Sequence, residues 1–193
     1  ASIFLVIAVA SGLLLVPDAA TTTFSLSMST PEVRLWTTPQ TRRIRNTMTT
    51  VPTAVGSTVS VFCAREELES FQIVIAPSNA GSVAVNFANF AGLPVNSWIE
   101  CSHAQFSSVS PWGQGNWRVT DLLAPVVDGG IVPLSSSEPT VIFFTVYVPG
   151  ETCGKTTYTT NIIITPQSAA PLAVPVSLYV FDLLLDKQPN MAT

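Results

Sequence analysis

The sequence is poor in charge and contains a single histidine. Only 10% of its 193 residues are charged, against about 25% in ordinary soluble domains, so serine, threonine, asparagine and glutamine must supply most of the polar surface. The net charge of −4 gives no long-range attraction for a phosphate backbone, and we expect no nucleic-acid partner. With one histidine, a metal site would depend on aspartate and glutamate, and we expect neither a metal nor another cofactor.

Cysteine is also scarce. Cys63, Cys101 and Cys153 allow one disulfide and leave one thiol over in an exported chain. The spacing does not choose among the three pairings. No C-x-x-C sequence is present, so these residues give no sign of a metal or thiol-disulfide exchange site.

Helical periodicity is missing after residue 16, whereas short alternating apolar runs separated by glycine and proline are frequent. This pattern predicts an all-β fold, a two-sheet antiparallel β-sandwich of the immunoglobulin or jelly-roll kind. Residues 110–137, rich in glycine, proline, serine and aspartate, are predicted to be a long loop over its surface. The predicted strands are residues 33–36, 57–63, 71–75, 83–87, 98–109, 141–148, 156–164 and 172–183.

Four segments follow from the order of these patterns. Residues 1–20 are typical of a signal peptide trimmed at its front, because an apolar run over residues 1–16 is followed by Pro17 and the small residues Ala19 and Ala20. The run is short of the ~20 apolar residues of a membrane span, so a cleaved leader is favoured over an uncleaved anchor, and we expect a secreted or cell-surface location. Residues 21–32 are predicted to be a Ser/Thr-rich spacer, 33–186 the sandwich, and 187–193 the start of a linker to a further domain.

Four strings of residues resemble a known family. They are AREELESFQIVI at 64–75, TDLLAP at 120–125, FFTVYVPGETCGKTTYTTNIII at 143–164 and PVSLYVFDLLL at 175–185. In their order and spacing they resemble the N-terminal β-sandwich of glycoside hydrolase family 123 and its uncharacterised relatives, over roughly residues 33–186. The resemblance includes an E-x-x-x-F-Q strand entry, here Glu67, Phe71 and Gln72.

The resemblance implies that the sandwich and the catalytic site belong to different domains. In that family the sandwich precedes a (β/α)-barrel that holds an adjacent Asp-Glu pair, and the acetamido group of the substrate acts as the nucleophile. This chain contains no Asp-Glu dipeptide, so the catalytic pair has no counterpart here. The resemblance therefore implies a partner barrel downstream in the same polypeptide and a structural role for Glu67 and Gln72.

No catalytic residue is predicted within the chain itself. Glu66, Glu67 and Glu69 are the densest carboxylate group, but neighbouring residues of a strand point to opposite faces, and the pattern favours a solvated edge or a salt-bridged strand entry. His103 shows no Ser-His-Asp spacing that would indicate a nucleophilic triad.

The sharpest binding hypothesis concerns a glycine-containing loop with the sequence PWGQGNWR at 111–118. Trp112 and Trp117 would stack on sugar rings, while Gln114 and Arg118 would hydrogen-bond hydroxyl groups. The competing interpretation, which the sequence favours, is that these indoles pack against the sandwich or against the missing barrel, because aromatic side chains bury much apolar area. Trp36 and Trp98, beside predicted strands, are expected in the core.

Two functions from different classes remain open. The first is a non-catalytic sandwich of a secreted carbohydrate-active protein that supports a glycoside hydrolase barrel. The alternative is a free-standing extracellular adhesion or structural module that binds protein or glycan. One contiguous exposed apolar patch near the last strand would favour the first.

Overall fold

The computed structural model describes residues 27–51, 56–107 and 118–185, and these residues form strands and connections without a helix. The predicted leader (1–20) and linker (187–193) lie outside the described residues. None of the described residues belongs to a helix that could span a membrane. The strands are β1 (Ser27–Ser29), β2 (Arg34–Pro39), β3 (Val59–Arg65), β4 (Glu67–Ile75), β5 (Ser82–Phe87), β6 (Trp98–Ser107), β7 (Val119–Val126), β8 (Gly130–Pro133), β9 (Thr140–Val148), β10 (Thr156–Pro166) and β11 (Leu172–Leu184).

Two sheets face each other. The six-stranded sheet has the order β1-β2-β4-β9-β6-β7, and the five-stranded sheet has the order β3-β11-β10-β5-β8. The pairs are antiparallel except β3 with β11, which run parallel. The predicted all-β, mainly antiparallel sandwich is therefore confirmed.

The main core fills the space between the sheets because each strand places every second side chain inward. Phe71 on β4 and Phe144 on β9 stack at 5.4 Å between ring centroids, and both are fully buried. Val59, Val61 and Cys63 of β3 face them from the other sheet, on the face that the alternation predicts. Burying a large apolar side chain stabilises the fold by about 1.5–3 kcal/mol, so this layer is the main source of stability.

A smaller cluster covers half of the outer face of the six-stranded sheet. The loop at residues 40–51 folds over it with Ile44 fully buried. Trp36 lies here rather than between the sheets, so its expected core position is found in this second cluster. Its buried members are Trp36, Ile44, Val74, Ala76, Ala104 and Val141.

Three strands lie where the sequence predicted none. β1 falls in the predicted spacer, where it pairs with β2 along the edge of its sheet. β7 and β8 fall in residues 110–137, which were predicted to be a loop. Each is the last strand of its sheet, and an edge strand tolerates proline, glycine and exposed apolar residues because one side makes no ladder. The regular alternation that reveals a central strand is therefore weak in them.

Candidate functional site

The uncovered half of the outer face of the six-stranded sheet carries two parallel rows of side chains. Leu68 on β4, Tyr147 on β9 and Trp98 on β6 are direct cross-strand neighbours and form an apolar row. One rung further along the sheet, Ser70, Thr145 and Glu100 are again direct neighbours and form a polar row. We call these six residues the outer platform.

Trp98 is the most distinctive residue of the outer platform. Its ring stacks on that of Tyr147 with 5.6 Å between centroids and 25° between planes, yet 37% of the residue is exposed. The expected core position of Trp98 is therefore wrong. Pairing between β6 and β7 ends at Cys101 and Val126, so no β7 residue pairs beside Trp98 and its ring stays open to solvent.

Tyr147 is fixed in place by Glu66. The Tyr147 hydroxyl donates to Oε2 of Glu66 at 2.8 Å, and Oε1 of Glu66 accepts the backbone N–H of Gly150 at 2.9 Å. The hydrogen bond to Glu66 is the main reason that the pKa of Tyr147 is raised, with burial and the charges of Glu66 and Glu151 adding to it. The apolar row is thus held in place by a carboxylate.

The polar row uses only part of its hydrogen-bonding capacity within the protein. The hydroxyls of Ser70 and Thr145 bond to each other at 3.0 Å, which leaves one hydroxyl hydrogen for another partner. Glu100 is exposed beside them. A carboxylate accepts hydrogen bonds and donates none, and Ser70 is buried, so Glu100 is the main acceptor that this row offers to a ligand.

A second feature is a pocket of about 270 Å³ between β6 and the loop before β9. Arg118, the one predicted glycan-contact residue among the described residues, lines it and forms an ion pair with Glu138. The other three, Trp112, Gln114 and Trp117, lie outside the described residues. The Arg118 backbone N–H donates to Oδ1 of Asn46 at 2.8 Å.

The electrostatics of this pocket do not provide a catalytic pair. Burial acts to raise the pKa of Glu138, but the hydrogen bonds of Arg118 and Asn46 outweigh it and lower that pKa. His103 lines the same pocket, and burial lowers its pKa. Among the described residues lining the pocket, Glu138 is the one acid, and it is already engaged by Arg118. His103 therefore meets no second carboxylate there.

The strand entry named by the sequence makes hydrogen bonds within the protein. Oε2 of Glu67 accepts the backbone N–H of Ala64 at 2.5 Å, and Phe71 lies in the main core. Gln72, only 3% exposed, donates from Nε2 to the carbonyls of Pro39 at 2.9 Å, Gln40 at 3.3 Å and Arg42 at 2.9 Å. The side-chain polar groups of Glu67 and Gln72 therefore already have hydrogen-bond partners in the backbone of the sandwich.

All three cysteines are free thiols. Cys63 on β3 and Cys101 on β6 are buried in different sheets, and Cys153 is exposed in the turn after β9. Burial, with the nearby charges of Glu67 and Glu69, raises the pKa of Cys63, and burial raises that of Cys101 to about 12. Among the described residues, no group of three histidine, cysteine or acidic side chains is arranged to hold a metal ion.

A third feature lies on the five-stranded sheet at the end of β11. Phe62, Tyr179 and Phe181 form an aromatic cluster on its outer face, with ring centroids 5.2–6.4 Å apart. The register of β11 against β3 shifts between Val180 and Leu184. The residues that follow this shift, Leu183, Leu184 and Leu185, are exposed. We call these six residues the C-terminal patch.

Comparison with known proteins gives weak similarity in fold. No protein-family profile matches the chain, and no curated protein matches it in sequence. A family 123 glycoside hydrolase from Clostridium perfringens superposes with a TM-score of 0.47 at 12% identity, over 66% of this chain and 23% of that one. The chain therefore spans less than a quarter of that enzyme.

Two further solved structures are β domains with other roles. The N-terminal domain of PorA gives a TM-score of 0.35 at 14% identity and covers 72% of this chain and 97% of that one. A PapD-like domain of human CEP192 gives 0.36 at 10% identity, with 86% and 99% covered. These similarities concern the sandwich alone.

Proposed function

We propose that the chain is a non-catalytic β-sandwich module of a secreted carbohydrate-active protein, and that it supports a glycoside hydrolase barrel that follows it in the same polypeptide. The resemblance of its four sequence strings to the N-terminal sandwich of glycoside hydrolase family 123 motivates this proposal. Fold by itself does not fix function, so the proposal depends on a surface.

That surface is the C-terminal patch, and it is the observation that carries the proposal. It consists of the aromatic rings of β3 and β11 and, where the register shifts, three successive exposed leucines, of which Leu183 is 56% exposed and Leu184 reaches towards Gly150. Large exposed apolar side chains gathered at one end of a strand favour an interaction surface. β11 is the last described strand and residues 186–193 follow it, so a domain attached there would meet the patch first.

The proposed lack of catalysis has a basis in the pocket. His103 and Glu138 share it, but Glu138 is held by Arg118 and Asn46. A general acid and base need separate groups with different environments. We therefore assign bond cleavage to the barrel and packing to the sandwich.

The test begins with the coding sequence after Thr193. A (β/α)-barrel with neighbouring aspartate and glutamate residues supports the proposal, and a stop codon directly after Thr193 contradicts it and favours the free-standing adhesion module. With the longer polypeptide in hand, Leu183→Ser is compared in it and in the 193-residue chain. A leucine buried between domains contributes about 1.5–3 kcal/mol.

We expect Leu183→Ser to lower the unfolding temperature of the longer polypeptide and to leave that of the 193-residue chain nearly unchanged. Ile131→Ser is the matched control, because Ile131 is an exposed apolar residue on β8, at the opposite edge of the same sheet. Equal effects of Leu183→Ser in both proteins would show that the patch is not an interdomain contact.

A further inference from the structure

We propose that the outer platform binds a neutral, hydroxyl-rich glycan, with a pyranose ring stacked on Trp98 and a sugar hydroxyl donating to Glu100. This inference goes beyond the support of a barrel and does not depend on it. It concerns the six-stranded sheet, whereas the C-terminal patch lies on the other sheet.

The apolar row provides a rigid stacking surface. One side of the Trp98 ring rests on Tyr147, and the hydroxyl of Tyr147 is tied to Glu66. The ring stacking restricts Trp98 and Tyr147, and the hydrogen bond to Glu66 restricts Tyr147 further. Little side-chain entropy is therefore left for them to lose when a ligand binds. The other side of the Trp98 ring faces the position that β7 no longer fills, and it is this side that a sugar ring can stack on.

The polar row supplies the partners that a sugar needs beside its apolar face. A pyranose has C–H groups on its faces and hydroxyls around its edge, so it needs a flat apolar surface with hydrogen-bonding groups next to it. Glu100 lies one rung from Trp98 on the same face of β6, whereas Ser70 is buried and bonds to Thr145. Trp98 and Glu100 therefore match the apolar face and the hydroxyl edge of one sugar ring.

Charge selects among possible glycans. Glu100 is exposed beside Trp98, whereas Arg65, the cation near Glu66, already pairs with Asp182 and the Gly150 carbonyl, so an acidic glycan stacked on Trp98 would meet a carboxylate. A basic peptide is the competing occupant. Both carboxylate oxygens of Glu66 already accept hydrogen bonds from Tyr147 and Gly150, which leaves Glu100 as the carboxylate beside Trp98 that faces solvent, a weak site for a polycation.

The outer platform is bounded on one side. Gln72 and the carbonyls of the turn at residues 39–42 lie beyond the polar row, and the smaller cluster under the loop at residues 40–51 follows them. The platform is open at the Trp98 edge, where β7 has ended.

The experiment measures binding of the purified chain to cellohexaose, chitohexaose and mannohexaose by titration calorimetry, with oligogalacturonate and oligolysine as the acidic and basic probes. We expect at least one neutral oligosaccharide to bind and Trp98→Ala to weaken its binding about 10- to 30-fold. Trp98→Phe, which keeps a ring, should restore most of the binding, and Glu100→Gln should weaken it about 3- to 10-fold. Leu122→Ala, at an exposed leucine of β7, is the control and should bind as the unaltered chain does.

Three results would overturn the proposal. One is the absence of binding to all three neutral oligosaccharides at about 1 mM. Another is binding that Trp98→Ala leaves unchanged, which would place the glycan elsewhere, for example at the loop with Trp112 and Trp117. The third is binding of oligolysine without any neutral sugar, which would make the outer platform a site for a basic protein segment.

Discussion

Glu66 and Tyr147 are 81 residues apart in the chain and are joined by a hydrogen bond of 2.8 Å. Glu66 is the single residue between β3 and β4, and its φ of 63° is a left-handed conformation that costs a non-glycine residue energy. Its carboxylate also accepts a hydrogen bond from the Gly150 N–H. A Cβ atom at position 150 would come within 2.7 Å of Oε1 of Glu66. The crossover between the sheets is therefore held by one strained residue with two specific partners.

The first prediction is that Glu66 and Tyr147 are energetically coupled. Glu66→Ala removes the acceptor of two hydrogen bonds and should lower the free energy of unfolding by about 2–3 kcal/mol, and Tyr147→Phe by about 1 kcal/mol. Urea unfolding of both single variants and the double variant should give a coupling of at least about 0.5 kcal/mol. Glu151→Ala, in the same turn and exposed, should change stability by less than about 0.5 kcal/mol. Additive effects would contradict the coupling.

The second prediction concerns Gln72, whose side-chain amide nitrogen lies within hydrogen-bond distance of three carbonyls of one turn. Gln72→Ala should lower the free energy of unfolding by about 1–3 kcal/mol, because those carbonyls lose a buried donor. Amide hydrogen exchange should also become faster at Asn46, whose N–H donates to the carbonyl of Arg118 from the loop that follows this turn. Gln40→Ala, at an exposed residue of the same turn, serves as the control. Unchanged exchange at Asn46 would mean that Gln72 does not hold the loop.

The long strands were predictable from local sequence. Residues 141–148 are a nearly continuous run of β-branched and aromatic residues, most of β11 alternates inward, and β3 alternates although it is an edge strand; each pattern predicts a strand. β7 and β8 were missed because they are edge strands whose glycine, proline and exposed apolar residues break the alternation. Trp98 was misplaced because the sequence does not show where β7 ends relative to β6, and only that register leaves the indole uncovered.

The candidate site was less predictable than the fold. Leu68, Tyr147 and Trp98 come from three separate strands, and their row exists only because the registers of β4, β9 and β6 align them. The exposed leucines at the end of β11 were not predicted, because the sequence does not show that the register of β11 against β3 shifts there. The aromatic part of the C-terminal patch depends on the parallel pairing of β3 with β11, which local patterns do not reveal.

The third prediction is a pH dependence at Glu69. Burial raises the pKa of Glu69, the backbone hydrogen bond at Ser70 lowers it, and the charge of Glu67 raises it, with a net upward shift. A carboxyl with a raised pKa in the folded state contributes stability below its unfolded pKa and loses that contribution as pH rises through the folded value. Glu69→Gln should therefore become more stable relative to the unaltered chain between about pH 4 and pH 7.

The measurement is the free energy of unfolding in urea at several pH values in that interval. Leu122→Ala provides the control, because Leu122 is an exposed residue of the same sheet without an ionisable group and its difference should not vary with pH. A Glu69→Gln difference that stays constant with pH would show that the Glu69 carboxyl is not hindered from ionising.

The fourth prediction is that only one of the three thiols reacts in the folded chain. Cys153 is exposed, whereas Cys63 and Cys101 are buried and their raised pKa values suppress the reactive thiolate. Iodoacetamide at neutral pH without reductant should label one thiol in the folded chain and three after unfolding, as counted by intact mass. Cys153→Ser should abolish the first labelling and leave two thiols after unfolding. A total of one thiol in the unfolded, unreduced chain would instead reveal a disulfide, the pairing that an exported chain with three cysteines allows.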